Sequence, residues 1–145
     1  LNPASQDFKD ILEDAGVGSF AATSGWGIYI SREPDGDNYQ NTLVTLYDTG
    51  AADTPHPEIA FDEPMVQARV RGDVGGYPTA YDKILEVRDQ LLGKYNFSQG
   101  GINYVGIWVT GDISFIGYDD SSRPILTVNF RAQREPDPSN SPHRR

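Results

Sequence analysis

Residues 64–72, Pro64-Met-Val-Gln-Ala-Arg-Val-Arg-Gly72, decide the fold class. Val66, Ala68 and Val70 alternate with Gln67, Arg69 and Arg71, the period of two of a strand with one buried and one wet face. Pro64 can open such a strand, where its missing N–H disturbs little of the ladder. Directly downstream the period changes. After a glycine-rich turn, Ala80, Ile84, Val87 and Leu91 fall on one helical stripe with Tyr81, Leu85 and Leu92 beside it. Pro78 suits the first helical turn and Gly93 supplies a stop, so a helix is expected over 78–92. At roughly 1.5–3 kcal/mol per fully buried large aliphatic side chain, it should be the largest block of the core and cover one face of the sheet.

Upstream, Phe8, Ile11, Leu12 and Ala15 recur at helical spacing. Ser5 reads as the cap of this helix, Asp7 lies in the first turn where the dipole favours an anion, and Gly16 ends it. Residues 26–31 and 43–47 read as neighbouring strands joined by a polar loop around Glu33-Pro-Asp-Gly-Asp37. Residues 48–63 keep neither period and carry Pro55 and Pro57. An irregular stretch of this length is functional or disordered. It reads either as an arm laid against a neighbouring subunit or a larger assembly such as a tube, anchored by Ile59 and Phe61, or as a mobile loop.

Downstream, strand-like runs cover 102–110, 113–118 and 124–134. Gly111-Asp112 is short enough for a hairpin between the first two, and Asp119-Asp-Ser-Ser-Arg123 is a polar turn into the third, which together predict an antiparallel meander. Trp108, in phase with Tyr104 and Gly106, is expected in the core. The expected fold is therefore α+β. It has a mostly antiparallel, mixed sheet of about six strands and two helices, one packed on the sheet, in a single domain over 1–135. Residues 136–145, rich in Pro, Ser and Arg, are expected to form a flexible tail.

The chain has 145 residues, 21 acidic and 12 basic, for a net charge of −9. Residues 131–145 carry Arg131, Arg134, Arg144 and Arg145 against Glu135 and Asp137, a local +2 that leaves −11 for the body. An acidic body disfavours phosphate binding, because affinity for nucleic acid rests on cations that displace counterions. No apolar run approaches the ~20 residues needed to cross a bilayer, and the amino end shows no basic region leading into an apolar stretch, so neither membrane nor secretory signal is expected. With no cysteine, disulfides and thiolate chemistry are excluded.

Reacting groups are equally scarce. The two histidines, His56 and His143, fall in the arm and the tail, where no Ser-His-acid set can be held rigidly. Asp53, His56 and Glu58 form at most a weak metal motif, and Gly72-Asp-Val-Gly-Gly76 lacks the Lys-Ser/Thr of a phosphate loop. No catalytic residue, cofactor site or metal site is therefore assigned, and no enzymatic activity is expected. Arg69 and Arg71 read either as a solvated strand face or as partners for carboxylates of an adjacent copy. Arg131 and Arg134 are candidate interface residues alongside them, with Ile59 and Phe61.

The strand at 64–72, with Leu46-Tyr-Asp-Thr-Gly50, Gly106-Ile-Trp108, Gly117-Tyr-Asp119, Arg123-Pro124 and Val128-Asn-Phe-Arg131, resembles the tail-terminator and minor-capsid proteins of long-tailed bacteriophages over about residues 26–136. The resemblance implies a ring-forming subunit, usually hexameric, at the head-proximal end of the tail tube. There it would stop tube polymerisation and offer a surface for head-tail joining. It also implies a virion protein assembled in the host cytoplasm, with other copies of itself, the tail tube protein and neck or head-tail connector proteins as partners. DNA would pass through the lumen without specific binding. Another neck or connector ring protein and an acidic DNA-mimic inhibitor are the alternatives.

Overall fold

A computed structural model describes residues 1–51 and 61–135. The elements in chain order are α1 (Ala4–Asp14), β1 (Ser19–Phe20), β2 (Gly27–Ile30), β3 (Leu43–Ala51), β4 (Pro64–Arg71), α2 (Tyr77–Leu91), β5 (Tyr95–Gln99), β6 (Ile102–Val109), β7 (Ser114–Tyr118) and β8 (Pro124–Arg134). The class is α+β as expected, with two helices on a mixed sheet. Two short strands, β1 and β5, raise the strand number to eight, in the order β1-β2-β3-β4-β8-β6-β5 with β7 also on β8.

β4 behaves as its alternation dictates: Val66, Ala68 and Val70 are fully buried, between β3 and β8 and beneath α2. The α2 stripe Ala80, Ile84, Val87 and Leu91 is fully buried too. α1 adds Phe8, Ile11 and Leu12, and Phe8 meets Phe130 of β8 edge to face at 6.0 Å. Gly16, at φ 77°, stops α1 with a Schellman turn in which the Val17 N–H donates to Leu12 O at 3.0 Å. The start of α1 differs from expectation. Pro3 occupies the cap position, and Ser5 lies inside the helix, where its N–H and Oγ both donate to the Asp48 carboxylate at 3.0 and 2.6 Å. A side chain from β3 therefore satisfies the helix N-terminus, with the favourable sign for the dipole.

Three features of the sheet depart from a simple meander. β2 and β3 run parallel, so residues 31–42 form a crossover that contains no helix. β6 and β7 do not form a hairpin; both pair antiparallel with the same edge of β8, end to end, and Gly111-Asp112 lies in the bulge between them. With 11 residues, β8 is long enough to satisfy both partners, whereas a β6–β7 hairpin would leave half of its edge bare. Finally, the register shifts between Tyr104 and Gly106, which reverses the phase of β6. Tyr104 and Ile107 point into the core, and Trp108, expected there, pairs with Arg131 on the opposite face and is 39% exposed.

One ladder crosses six of the eight strands. Phe20, Ile28, Val44, Val70, Leu126 and Phe115 are consecutive partners, so β1 and β7 end the same six-strand row. Five spacings of about 4.8 Å separate these two edges by about 24 Å.

Candidate assembly interface

The face of the sheet opposite α2 carries Thr45, Arg69, Arg71, Ile125, Thr127 and Arg131, and its β2-proximal part is covered by the crossover at 31–42. Arg71 holds that cover. Its Nε donates to Asn41 O at 2.8 Å, Nη1 to Pro34 O at 3.1 Å and Nη2 to Gln40 O at 2.9 Å. Arg123 grips the same loop, with both Nη atoms donating to the Asp35 carboxylate at 3.1 Å and Nε to Asp119 at 2.8 Å. These bonds hold the Asp35 carboxyl down at about 2, the Arg123 hydrogen bond being the main cause. A parallel crossover without a helix has no packing layer of its own, and the two guanidiniums take that role.

The residues read from sequence as an interface separate accordingly. Arg71 is 2% exposed and lies inside the subunit rather than on an open wet face, because the crossover folds over the end of β4. Arg134 is 4% exposed. Its Nε donates to Asp62 at 2.8 Å, while Nη1 donates to Asn2 O at 2.9 Å and to the Tyr104 hydroxyl at 3.2 Å and lies 3.6 Å from Asp7. The Tyr104 hydroxyl donates to Asp7 Oδ2 at 2.6 Å. Burial pushes the Asp7 carboxyl and the Tyr104 phenol upward, and this cluster joins the amino end, β6, β8 and the base of the arm. Arg69 is half-buried, 3.4 Å from Glu33. Arg131 is exposed, its guanidinium 5.2 Å above the Trp108 ring. Phe61 is exposed beside the Asp62–Arg134 bridge, and Ile59 lies outside the described residues. So do Asp53, His56 and Glu58. Among the described residues no three acidic or histidine side chains group as a metal site.

Charge-based reading missed an aromatic edge. On β7, Phe115, Ile116 and Tyr118 are all exposed. Phe115 meets Tyr118 at 5.3 Å and Tyr77 of α2 at 5.2 Å, and Tyr77 stacks on Tyr81 at 6.1 Å. The signal was present in Phe115-Ile-Gly-Tyr118, where apolar residues occupy both parities and no wet face is left. At the other end of the row a cleft of about 240 Å³ is lined by Phe20, Tyr29, Ile30, Arg32, Pro34 and Tyr39.

Residues 11–136 match the family model of the bacteriophage tail terminator protein. The chain belongs to this family. No curated protein matches it. Among solved structures, a chain from the virion of a native gene transfer agent particle is 21% identical, covers 75% of this chain and 78% of its own length, and has a TM-score of 0.56. A second, bearing only a sequence identifier as its name, is 16% identical, covers 91% and 94%, and has a TM-score of 0.52. At these identities the two show a shared fold.

As a tail terminator family member the chain is a structural, tail-related component of a virion that associates with other virion proteins. Its geometry suits that role. The charged side chains with the best geometry fasten the subunit internally, while Phe20, Tyr95, Phe115, Ile116 and Tyr118 are exposed on edge strands.

Proposed function

We propose that this protein closes into a ring, hexameric by analogy with its family, on the head-proximal end of the tail tube. It ends tube polymerisation there and presents its other face to neck or head-tail connector proteins. It works by shape, without catalysis. One ring face matches the last layer of tube protein, and the opposite face lacks the surface that would accept another layer, so growth ends by mismatch. Family membership over residues 11–136 is the observation that carries this reading, and the exposed apolar side chains at the two ends of the row, Phe20 and Phe115, support it. DNA passes through the lumen of this acidic protein without specific binding. The arm read within 48–63 and the tail at 136–145 are further contacts with tube or neck, with Ile59, Phe61, Arg69 and Arg131 on or near the surfaces involved.

Imaging of tubes polymerised from the tail tube protein with and without this chain tests the reading. Tubes should stop short and carry ring density at one end, and the bound protein should show one fixed stoichiometry. Tubes that grow to equal length with bare ends would refute it.

A further inference from the structure

β7 is an edge strand whose protection is limited to its short length and a register shift between Phe115 and Gly117. Natural edges are blunted by charge, proline or a covering element, yet Ser114-Phe-Ile-Gly-Tyr118 contains neither a charged residue nor a proline. Among the described residues its only sheet partner is β8, and Ile116 and Tyr118 are 61% and 62% exposed. With Tyr77 and Tyr81 added, the exposed apolar area is on the order of several hundred Å², the range that marks an interaction site.

The complement lies on the same molecule. The cleft beside β1 and β2, at about 240 Å³, falls below the roughly 300–1,000 Å³ of small-molecule sites and suits one or two side chains. Arg32 on its wall has no ion-pair partner among the described residues, and neither do Asp112 and Asp120, which bracket β7. Each edge therefore offers what the other lacks. Being different surfaces, they meet head to tail, the arrangement that generates rings when the rotation closes.

We propose that β7 of one copy seats its aromatic side chains in the cleft lined by Phe20, Tyr29, Arg32 and Tyr39 of the next copy. This contact rests on the ring reading above, and names the surfaces by which the ring is built.

The absence of cysteine makes the contact directly testable. Ile116→Cys and Tyr39→Cys both lie on exposed side chains. Each variant alone, and the two mixed at about millimolar concentration, would be treated with a short bis-maleimide reagent. The mixture should give covalent dimer roughly tenfold above either variant alone. Equal yields in the three samples would overturn the pairing of these two edges. The double variant Ile116→Cys/Tyr39→Cys then separates this contact from the ring itself. A ladder that ends at one closed oligomer supports both, whereas an unending ladder upholds the contact and sinks the ring.

Discussion

Replacing Arg71 by Met should destabilise the protein far more than replacing Arg69 by Met, although sequence places the two residues side by side in one strand. Arg71 makes three hydrogen bonds to backbone carbonyls, and a bond from a charged donor contributes about 1.5–3 kcal/mol. The bond to Pro34 O is fully buried, while those to Asn41 O and Gln40 O are part-buried and can regain water. Counting the first in full and discounting the others gives a loss of about 3–4 kcal/mol. Met preserves the apolar stem, so most of this loss is the staple and not packing. Arg69 is one-third exposed and meets Glu33 at 3.4 Å, which places its contribution within about 1 kcal/mol.

Urea unfolding of the two variants, followed by far-UV circular dichroism, measures the difference. A domain of this size has a stability of about 7–20 kcal/mol, so Arg71→Met should remain folded with a clearly lower midpoint. By the scaling for chains of this length, its melting temperature should fall by about 6–16 °C. Amide exchange should accelerate first at residues 31–42, whose cover is being released. If Arg71→Met unfolds within about 1 kcal/mol of Arg69→Met, the guanidinium is not the staple and the account of the crossover fails.

Three other outcomes follow from the same contacts. The Asp35 carboxyl, at about 2, lies below its ordinary value of 3.8, so its contribution should be complete above that value and vanish as pH falls through about 2. Urea midpoints of the native protein and Asp35→Asn should therefore differ at neutral pH and converge at the acid end. Tyr104→Phe removes a 2.6 Å hydrogen bond to the buried Asp7 carboxylate and should lower unfolding stability by about 1–3 kcal/mol. A loss under about 0.5 kcal/mol would show that Asp7 is satisfied without it. Ile116→Ser and Tyr118→Ser, in contrast, should leave monomer stability within about 0.5 kcal/mol while reducing self-association measured by sedimentation.

What sequence could reveal was set by the range of each interaction. β4, α2 and α1 were legible because their periods are local and each has one buried face; the stop at Gly16 was legible for the same reason. β5 was not, since Tyr95, Asn96 and Ser98 are all exposed and leave no alternation. Its hairpin is encoded instead by Gly100 and Gly101, at φ 60° and 78°, as a turn with the twist that suits two strands. The parallel β2–β3 pair depends on Arg71, about thirty residues from the loop it holds, and no local pattern encodes that. Trp108 was misassigned because a single irregularity at Tyr104/Gly106 inverts the phase of everything after it. The candidate interface suffered most. Arg71 and Arg134 looked available because a charge pattern shows the cation but not its distant partners, Pro34, Asp62 and Asn2.

That consumption of cations determines how the protein should respond to salt. Lys9, Arg69, Arg71, Lys83, Arg88, Arg123 and Arg134 all have acidic partners within the subunit, which leaves Arg32, Lys94 and Arg131 as the described cations without one. Copies of a chain with net charge −9 therefore repel each other at long range, while the proposed contact between them is mainly apolar. Raising ionic strength from about 0.01 to 0.15 M shortens the screening length from about 30 to 8 Å, which removes most of the repulsion and little of the apolar attraction. Self-association should then strengthen. An acidic decoy for a DNA-binding protein behaves oppositely, because its affinity for a cationic partner derives from the charges that salt screens. Sedimentation of this chain across the salt range tests the first of these signs, and self-association that weakens steadily with salt would refute an apolar edge-to-edge contact.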